Sequence, residues 1–230
     1  PLKMILKNKK IIFFSIYKDS FSQKIYSLLK KKYKFVRLVT CQKSSDKINF
    51  KELEKLKIDY IFSFRFLFKI PQKILNKSLI AINFHPGPPE YRGIGCVNFA
   101  IYNRAKVYGI TAHMMDAKID NGLILDVVRF PISKKSSIDS VLSKSYKLQT
   151  TQAKKIINKL YDNEKKFFNL KNNKIFEWSK KITFRKDLDK LYEIPLNANK
   201  AKIEKIIQST LTSSYKPYVV LKGIKFFYEK

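Results

Sequence analysis

An asparagine and a histidine stand two positions apart directly after an apolar run, and a stretch rich in proline and glycine follows them. They are Asn83 and His85, in the segment LIAINFHPGPPEYRG. Because alternate residues of a strand point to one face, both side chains are expected together at the carboxyl end of a strand. An amide can donate a hydrogen bond without carrying charge, and an imidazole can transfer a proton near neutral pH. The pair alone equally fits a structural role, in which two polar side chains satisfy each other and cap the strand.

A reaction at this pair needs a carboxylate that orients the imidazole and stabilises its charged form. Two aspartates follow along the chain, Asp116 in HMMD and Asp120 in the turn IDNG, and their spacing does not choose between them. Residues 83–122 also hold both histidines of the chain, His85 and His113, and five of its six glycines. Such clustering of rare polar and conformationally special residues indicates a shaped site, suited to proton transfer and to hydrogen bonding of a developing oxyanion.

The elements that must position these residues alternate between strands and helices. Short runs of β-branched and aromatic residues predict strands, and apolar residues at helical spacing predict the helices between them. The predicted order is strand 10–16, helix from an N-cap at Ser20, strand 35–41, helix 50–56, strand 58–64 and strand 79–84. This order predicts an α/β fold with a Rossmann-like, mostly parallel sheet covered on both faces. Ligands bind such sheets at the carboxyl ends of the strands, where His85 falls.

The second half of the chain extends this sheet and then changes character. A helix is predicted for residues 93–103, strands for 109–116 and 123–130, and a long amphipathic helix for 136–160. Helices at 187–191 and 198–211 precede PYVVLKGIKFFYEK, which reads as a β-hairpin around Lys222 and Gly223. We therefore predict a catalytic domain over residues 1–180 and a small C-terminal lobe over residues 181–230.

The charge of the chain is strongly basic. Its 230 residues include 48 lysines and arginines against 18 acidic residues, a formal net charge of +30. Such a balance favours nucleic acid or an anionic membrane as a partner. Only six basic residues are arginines, however, and arginine is the side chain preferred for specific phosphate and base recognition. The lysines are spread along most of the chain, which fits a compositional bias of the genome as well as a functional basic face.

Several other classes of protein do not fit the composition. Two cysteines and two histidines are too few for a disulfide framework or a Cys/His zinc site, so no metal is expected. The longest apolar runs fall short of the roughly 20 residues that a membrane-spanning helix needs. Residues 2–10 alternate lysine with apolar residues and lack the pattern of a signal peptide, so a cytoplasmic location is expected.

The motifs of residues 83–122 resemble those of the folate-dependent formyltransferase family. N-x-H, a Pro/Gly loop with Y-R-G, and then GITAHMMDAKIDNG match the family's asparagine, its histidine two residues on, and its aspartate in a D-x-G turn. The resemblance covers about residues 9–132 and implies Asn83, His85 and Asp120 as the catalytic residues. The implied reaction moves a formyl group from N10-formyltetrahydrofolate, as co-substrate, to an amine. Whether His85 acts as base or as oxyanion donor stays open.

The resemblance also implies two sets of binding residues. One follows the third strand and matches the family's pterin-contacting segment, which acts largely through its backbone: Ser63, Phe64, Arg65 and Phe66. The other lies in the loop after His85 and is assigned to substrate contact and loop shape: Pro88, Tyr91 and Arg92. Phe64 and Phe66 equally fit the hydrophobic core. His113 is expected to be a structural or supporting residue of the site.

Three kinds of acceptor occur in this family: methionyl-tRNA, phosphoribosylglycinamide and nucleotide-linked amino sugars. A methionyl-tRNA enzyme is expected to carry a full C-terminal domain for the tRNA, whereas the residues after 180 resemble the short lobe of the sugar enzymes. The phosphoribosylglycinamide enzyme normally carries a glycine-rich phosphate loop after its first strand, and FFSIYKDSFS contains no glycine. The resemblance therefore favours a GDP- or dTDP-linked 4-amino-4,6-dideoxysugar.

This acceptor implies further partners and a place in the cell. The expected partner is a nucleotide-linked amino sugar destined for a surface polysaccharide such as the lipopolysaccharide O-antigen, and enzymes of this kind are often homodimers. No specific nucleic acid and no membrane are expected. The alternatives are methionyl-tRNA or phosphoribosylglycinamide as acceptor and, from another class, a basic nucleic-acid-binding protein with an inactive formyltransferase core.

Overall fold

The structure, a computed structural model, describes residues 2–169 and 176–229. Its strands are β1 (Lys10–Ile16), β2 (Phe35–Cys41), β3 (Tyr60–Phe64), β4 (Ile80–His85), β5 (Arg92–Gly93), β6 (Val107–Met114), β7 (Ile124–Pro131), β8 (Ile182–Thr183), β9 (Tyr218–Leu221) and β10 (Ile224–Phe227). Its helices are α1 (Leu2–Lys7), α2 (Ser20–Lys32), α3 (Phe50–Leu53), α4 (Gln72–Leu75), α5 (Cys96–Tyr102), α6 (Ile138–Asp162), α7 (Glu164–Asn169), α8 (Arg185–Tyr192) and α9 (Lys200–Thr210).

Six strands form the central sheet, in the order β2-β1-β3-β4-β6-β7. Strand β1 pairs in parallel with both β2 and β3, and β3 pairs in parallel with β4, whereas β6 runs antiparallel to β4. The interior strands β1 and β3 are almost entirely buried, as expected for near-continuous apolar runs that are covered on both faces. The predicted α/β fold with a mostly parallel sheet is confirmed, and so is the C-terminal hairpin, formed by β9 and β10.

The side chains of β4 alternate between two layers of the core. Ile82 and Phe84 belong to a large hydrophobic cluster that also holds buried residues of α2 and α6. Ala81 belongs to a second cluster, with residues of α3 and α4. Because successive side chains of a strand point to opposite faces, Asn83 and His85 share the face of Ala81. The apolar residues therefore fix the strand, and its last polar residues are presented at its carboxyl end.

The chain divides into two compact units. The first comprises Pro1–Pro86, Ile110–Val128 and Tyr146–Glu177 and holds most of the central sheet. The second comprises Gly87–Gly109, Arg129–Ser145 and Trp178–Lys230, and the C-terminal hairpin belongs to it. The division into a domain over residues 1–180 and a lobe over residues 181–230 stays a prediction.

Several helices begin at other residues than the sequence predicts: α6, α8 and α9 start two residues away from the expected positions, and α2 and α5 differ as follows. The N-cap of α2 is Asp19 rather than Ser20, because the Asp19 carboxylate accepts from the backbone N–H of Ser22 at 2.8 Å. The helix expected from residue 93 begins only at Cys96, after the two-residue strand β5 and an N-cap at Gly95. In the described part of the chain, no helix combines the length and the apolar composition of a membrane-spanning segment.

Candidate active site

The polar end of β4 forms one row with its neighbouring strands. Asn83 lies opposite Ser63 of β3 and opposite His113 of β6, and His85 lies opposite Thr111. Ser63, His85 and His113 are all buried. The register therefore brings polar side chains of three strands together at the carboxyl end of β4, inside the first unit.

Asp120 reaches this row from the turn between β6 and β7. Its backbone has a φ of 44°, a left-handed conformation that aspartate tolerates better than most residues. The turn is tight: a Cβ added to Gly122 would lie 1.9 Å from the carbonyl oxygen of Met114. A residue with a side chain cannot replace this glycine without a shift of the turn, which accounts for the D-N-G pattern. Only 7% of Asp120 is exposed.

The Asp120 carboxylate lies between two imidazoles. Its Oδ2 is 3.4 Å from Nδ1 of His85, and its Oδ1 is 3.4 Å from Nε2 of His113. The other candidate carboxylate, the half-buried Asp116, accepts hydrogen bonds from the backbone N–H of Lys118 and from the Asn121 amide, both at 2.8 Å. The turn thus brings Asp120 to His85 and holds Asp116 in local hydrogen bonds.

His113 contacts Asn83 as well as Asp120. Its Nδ1 lies 2.8 Å from the backbone carbonyl of Met114, which can only accept, so Nδ1 carries a proton. In the neutral ring Nε2 is then an acceptor, and the Asn83 amide donates to it at 3.2 Å. The sequence left His113 as a structural or supporting residue. A closer role for His113 follows from the pairing of β4 with β6, which places it opposite Asn83.

Gln149 of α6 is a polar residue near the site that the sequence did not single out. It is fully buried, and its Nε2 donates to the backbone carbonyl of Phe84, the residue between Asn83 and His85. The amide therefore holds the peptide group that joins Phe84 to His85. The sequence around residue 149 indicates only an amphipathic helix, and nothing local tells which buried position meets the strand.

The predicted pterin segment begins inside β3 rather than after it, because Ser63 and Phe64 are the last two residues of this strand and only Arg65 and Phe66 follow it. Ser63 and Phe64 are buried, and Phe64 belongs to the hydrophobic core. Phe66 packs its ring against that of Phe14, with centroids 5.0 Å apart. Arg65 has a left-handed backbone with a φ of 59°. The two aromatic rings are therefore used for packing, and the polar groups that this segment can offer a flat ligand are mainly its peptide groups.

The three residues predicted for the substrate side belong to the second unit. Pro88 accepts a hydrogen bond from the backbone N–H of Tyr91 at 3.0 Å, and the Tyr91 ring lies 6.3 Å from that of Tyr108. Arg92 pairs with Ile182 in the short sheet of β5 and β8. These contacts explain how the loop after His85 is shaped within its own unit, and a role in substrate binding stays a prediction.

The buried cluster supplies the groups that reaction at a carbonyl carbon needs. Asn83 is an uncharged donor for an oxygen that gains negative charge, and His85 can take or give a proton. Asp120 stabilises a protonated imidazole in a region with little water, where such interactions are stronger than at the surface. Within residues 2–169 and 176–229, no group of three or more His, Cys, Asp or Glu side chains is arranged to hold a metal ion.

Comparison with known proteins shows a family that covers this region. The model of the formyl transferase family matches residues 18–157. The bifunctional polymyxin resistance protein ArnA of Wigglesworthia glossinidia brevipalpis is 31% identical over 144 residues, 60% of this chain and 20% of that protein. A methionyl-tRNA formyltransferase of a Nostoc strain is 31% identical over 105 residues, 45% of this chain and 30% of that protein. The matched segment thus spans less than a third of either curated relative.

Solved structures match over nearly the full length. The 4-N formyltransferase from Francisella tularensis has a TM-score of 0.75 at 22% identity, with 96% of each chain covered. An N-formyltransferase from Helicobacter canadensis, solved with folinic acid and dTDP-3-aminofucose, has a TM-score of 0.69 at 20% identity, with 94% of this chain and 86% of that chain covered. At such identities the likeness establishes a shared fold.

Proposed function

Since this chain belongs to the formyl transferase family, we propose that it is a folate-dependent N-formyltransferase, which moves a formyl group from N10-formyltetrahydrofolate to an amine. The observation that carries the proposal is the buried cluster at the carboxyl end of β4. There the Asp120 carboxylate lies 3.4 Å from both His85 and His113, and Asn83 donates to His113. The cluster lies within the segment that matches the family model.

The residues act on the oxygen and on the proton of the reaction. As the acceptor amine adds to the formyl carbon, the carbonyl oxygen gains negative charge, and the second amide proton of Asn83 donates to it. The amine nitrogen becomes acidic as its new C–N bond forms, and His85 takes its proton while Asp120 stabilises the imidazolium. The bond from the formyl carbon to N10 then breaks, and His85 returns the proton to the leaving nitrogen.

The end of β3 and the two residues that follow it, Ser63 to Phe66, would hold the pterin of the formyl donor. A pterin is flat and carries donors and acceptors along one edge, which suits recognition by peptide groups. Phe64 is buried in the core and Phe66 packs on Phe14, so the side chains of this loop are anchored and its backbone is available for recognition. Ser63 adds a hydroxyl in the row of Asn83.

For the acceptor we propose a nucleotide-linked 4-amino-4,6-dideoxysugar, activated by GDP or dTDP. A solved sugar N-formyltransferase from a Shewanella strain shares the fold over 96% of this chain, which supports this choice. In addition, the Asp19 carboxylate caps α2, so a negative charge occupies the helix N-terminus that a phosphoribosyl group would use. We further propose that the formamido sugar becomes part of a surface polysaccharide. The enzyme itself would be a cytoplasmic homodimer.

The test is incubation with N10-formyltetrahydrofolate and a panel of GDP- and dTDP-linked amino sugars, read by mass spectrometry. We expect one sugar to gain the mass of one formyl group, and the Asn83→Ala variant to lose this product. If only initiator methionyl-tRNA or phosphoribosylglycinamide were formylated, the acceptor would be wrong and the reaction class would stand. Absence of transfer to every acceptor by the folded protein would refute the reaction class.

A further inference from the structure

We propose that Asp19 and Tyr146 are positioning residues for the formyl donor, because together they clamp Arg65 and so fix the loop after β3 in the shape that receives the pterin. This inference rests on the proposed function, because the proposed function is what assigns the pterin to this loop. We call the three residues the Arg65 clamp. Its members come from the N-terminus of α2, the end of β3 and the middle of α6, all in the first unit.

The backbone of Arg65 needs a restraint. Its φ of 59° lies in the left-handed region, which residues with a side chain adopt rarely and keep only where the surroundings hold them. The residue before it, Phe64, is fully buried, so the chain enters the loop from a fixed point. A relaxed Arg65 would therefore redirect the peptide groups that follow it.

The first restraint is an ion pair with Asp19. Nη1 of Arg65 donates to Oδ1 of Asp19, while the second carboxylate oxygen accepts from the backbone N–H and the hydroxyl of Ser22 at 2.8 and 2.7 Å. The carboxylate is thus held by the helix it caps. The side chains of Arg65 and Asp19 are only 18% and 11% exposed, so water and salt screen this pair less than a surface pair.

The second restraint is the ring of Tyr146. Cζ of Arg65 lies 3.7 Å from the centroid of this ring, a cation–π contact. The Tyr146 ring is itself in contact with that of Phe21, at a centroid distance of 5.9 Å. Tyr146 of α6 therefore contacts the face of the guanidinium, and Asp19 at the N-terminus of α2 binds its edge. Both residues are held in place by contacts of their own.

The clamp lies next to the predicted reacting groups. Arg65 is two residues beyond Ser63, which lies opposite Asn83 in the sheet. Because the guanidinium is committed to Asp19 and Tyr146, Arg65 contributes the direction of its backbone rather than a charge for the ligand. Loss of the clamp is thus expected to weaken binding of the donor and to leave the acceptor and the chemical step largely unaffected.

Three variants test the two supports. Asp19→Asn keeps an acceptor for the cap of α2 but removes the charge that holds Arg65, and Tyr146→Leu removes the aromatic face that Tyr146→Phe keeps. For Asp19→Asn and Tyr146→Leu we expect roughly tenfold weaker binding of folinic acid by calorimetry and a similar rise in the KM of the formyl donor. The kcat and the acceptor KM should change less than about threefold. Tyr146→Phe should bind like the unmodified protein.

A matched control and a double variant separate this role from general stability. Arg37 forms a comparable pair with Glu52 at the surface, so Arg37→Met should not change folinic acid binding. Arg65→Gly can adopt the left-handed backbone without the clamp, and Asp19→Asn should have little further effect on binding in that background. The clamp would be refuted if folded Asp19→Asn and Tyr146→Leu bound folinic acid as well as the unmodified protein while formyl transfer persisted. If the unmodified protein neither bound folinic acid nor transferred formyl, the proposed function itself would fail.

Discussion

The smallest scale is the single amide of Asn83, whose two protons have different partners in the proposed reaction. One donates to His113 Nε2 at 3.2 Å, which fixes the direction of the other. His113→Phe keeps a buried ring but removes this acceptor, so kcat should fall by roughly 10- to 100-fold with little change in either KM. Steady-state kinetics on purified, folded variants would measure it.

The double variant Asn83→Ala/His113→Phe tests whether the two residues act together. Because His113 acts through Asn83, adding His113→Phe to Asn83→Ala should lower kcat by much less than it does alone. Two effects that simply multiplied would show that His113 acts independently of Asn83, contrary to the geometry.

We expect replacement of Asp120 to lower kcat strongly and replacement of the nearby Asp116 to have little effect. Asp120 is buried between the imidazoles of His85 and His113, whereas Asp116 is half-buried and accepts hydrogen bonds within its own turn. Asp120→Asn keeps the shape but removes the charge that stabilises an imidazolium, so kcat should fall by about 10² or more. Asp116→Asn should stay within about threefold of the unmodified kcat. Equal losses in both variants would mean that the turn, and not the Asp120 charge, carries the effect.

The residue scale also marks what the sequence could foresee. The choice of Asp120 over Asp116 came from a family pattern and not from spacing, because both follow the same strand by a few residues. The role of His113 could not be predicted from nearby residues, because its contact with Asn83 depends on the register with which β6 pairs with β4. Gln149 left no local signal, because its partner is a backbone carbonyl 65 residues away.

At the scale of elements, the tight turn between β6 and β7 makes a stability prediction. Gly122→Ala would place a Cβ 1.9 Å from the Met114 carbonyl oxygen, so backbone must move, at an expected cost of about 3 kcal/mol or more. Gly223 in the C-terminal hairpin has a φ of 81° but nothing within 4 Å of an added Cβ. Gly223→Ala should therefore cost only about 1 kcal/mol. Denaturant unfolding of both variants would check the order, and a larger loss at Gly223 would contradict it.

A second element-scale prediction concerns the ion pair between Glu90, in the loop after β4, and Arg129 of β7. Partial burial raises the pKa of Glu90 and is the largest single influence on it. The side-chain hydrogen bonds from Arg129 at 2.6 and 3.1 Å, a backbone hydrogen bond and the charge of Arg129 together lower this pKa by more, so the net shift is downward. A carboxyl whose pKa is lower in the folded state stabilises the fold above its unfolded pKa and loses this effect as pH falls through the folded value.

The measurement is the difference in Tm between the unmodified protein and Glu90→Gln across pH. The unmodified protein should have the higher Tm at neutral pH, and the difference should shrink as the medium becomes more acidic than the ordinary carboxyl pKa of 4.5. Arg129→Gln should show the same trend. A Tm difference that grew on acidification would reverse the assigned sign.

The interior strand β1 has the predicted bounds, because burial on both faces leaves a strong apolar signal. The edge strand β2 also has the predicted bounds although it is largely exposed, since its β-branched residues still indicate a strand. Helix starts were harder. In KDSFS both Asp19 and Ser20 are good caps, and only the reach of the Asp19 carboxylate to the Ser22 N–H decides between them. The two-residue sheet of β5 and β8 was not predicted, since pairs this short depend on a distant segment rather than on local pattern.

The largest scale is the net charge of +30. Arginine is the residue best suited to reading nucleic acid, and in the described part of the chain at least three of the six arginines pair with carboxylates: Arg37 with Glu52, Arg65 with Asp19, and Arg129 with Glu90. This pairing speaks against specific nucleic-acid readout and leaves the charge mainly to lysines. A surplus of lysines repels itself in the folded state and attracts any anionic ligand, so salt should affect stability and binding in opposite directions.

The last prediction concerns the opposite effects of salt on the stability of the fold and on substrate binding. Raising NaCl from about 20 to about 300 mM should raise Tm, because shorter screening lengths weaken the repulsion among lysines. Over the same range the KM for a nucleotide-linked amino sugar should rise, because its pyrophosphate is attracted less strongly. Sulfate compared with chloride at equal ionic strength separates screening from a specific anion site, since screening alone gives the same KM in both salts. A Tm that fell or stayed constant with NaCl would show that the lysines are too far apart to repel one another appreciably, and that the basic composition has little effect on the energy of the fold.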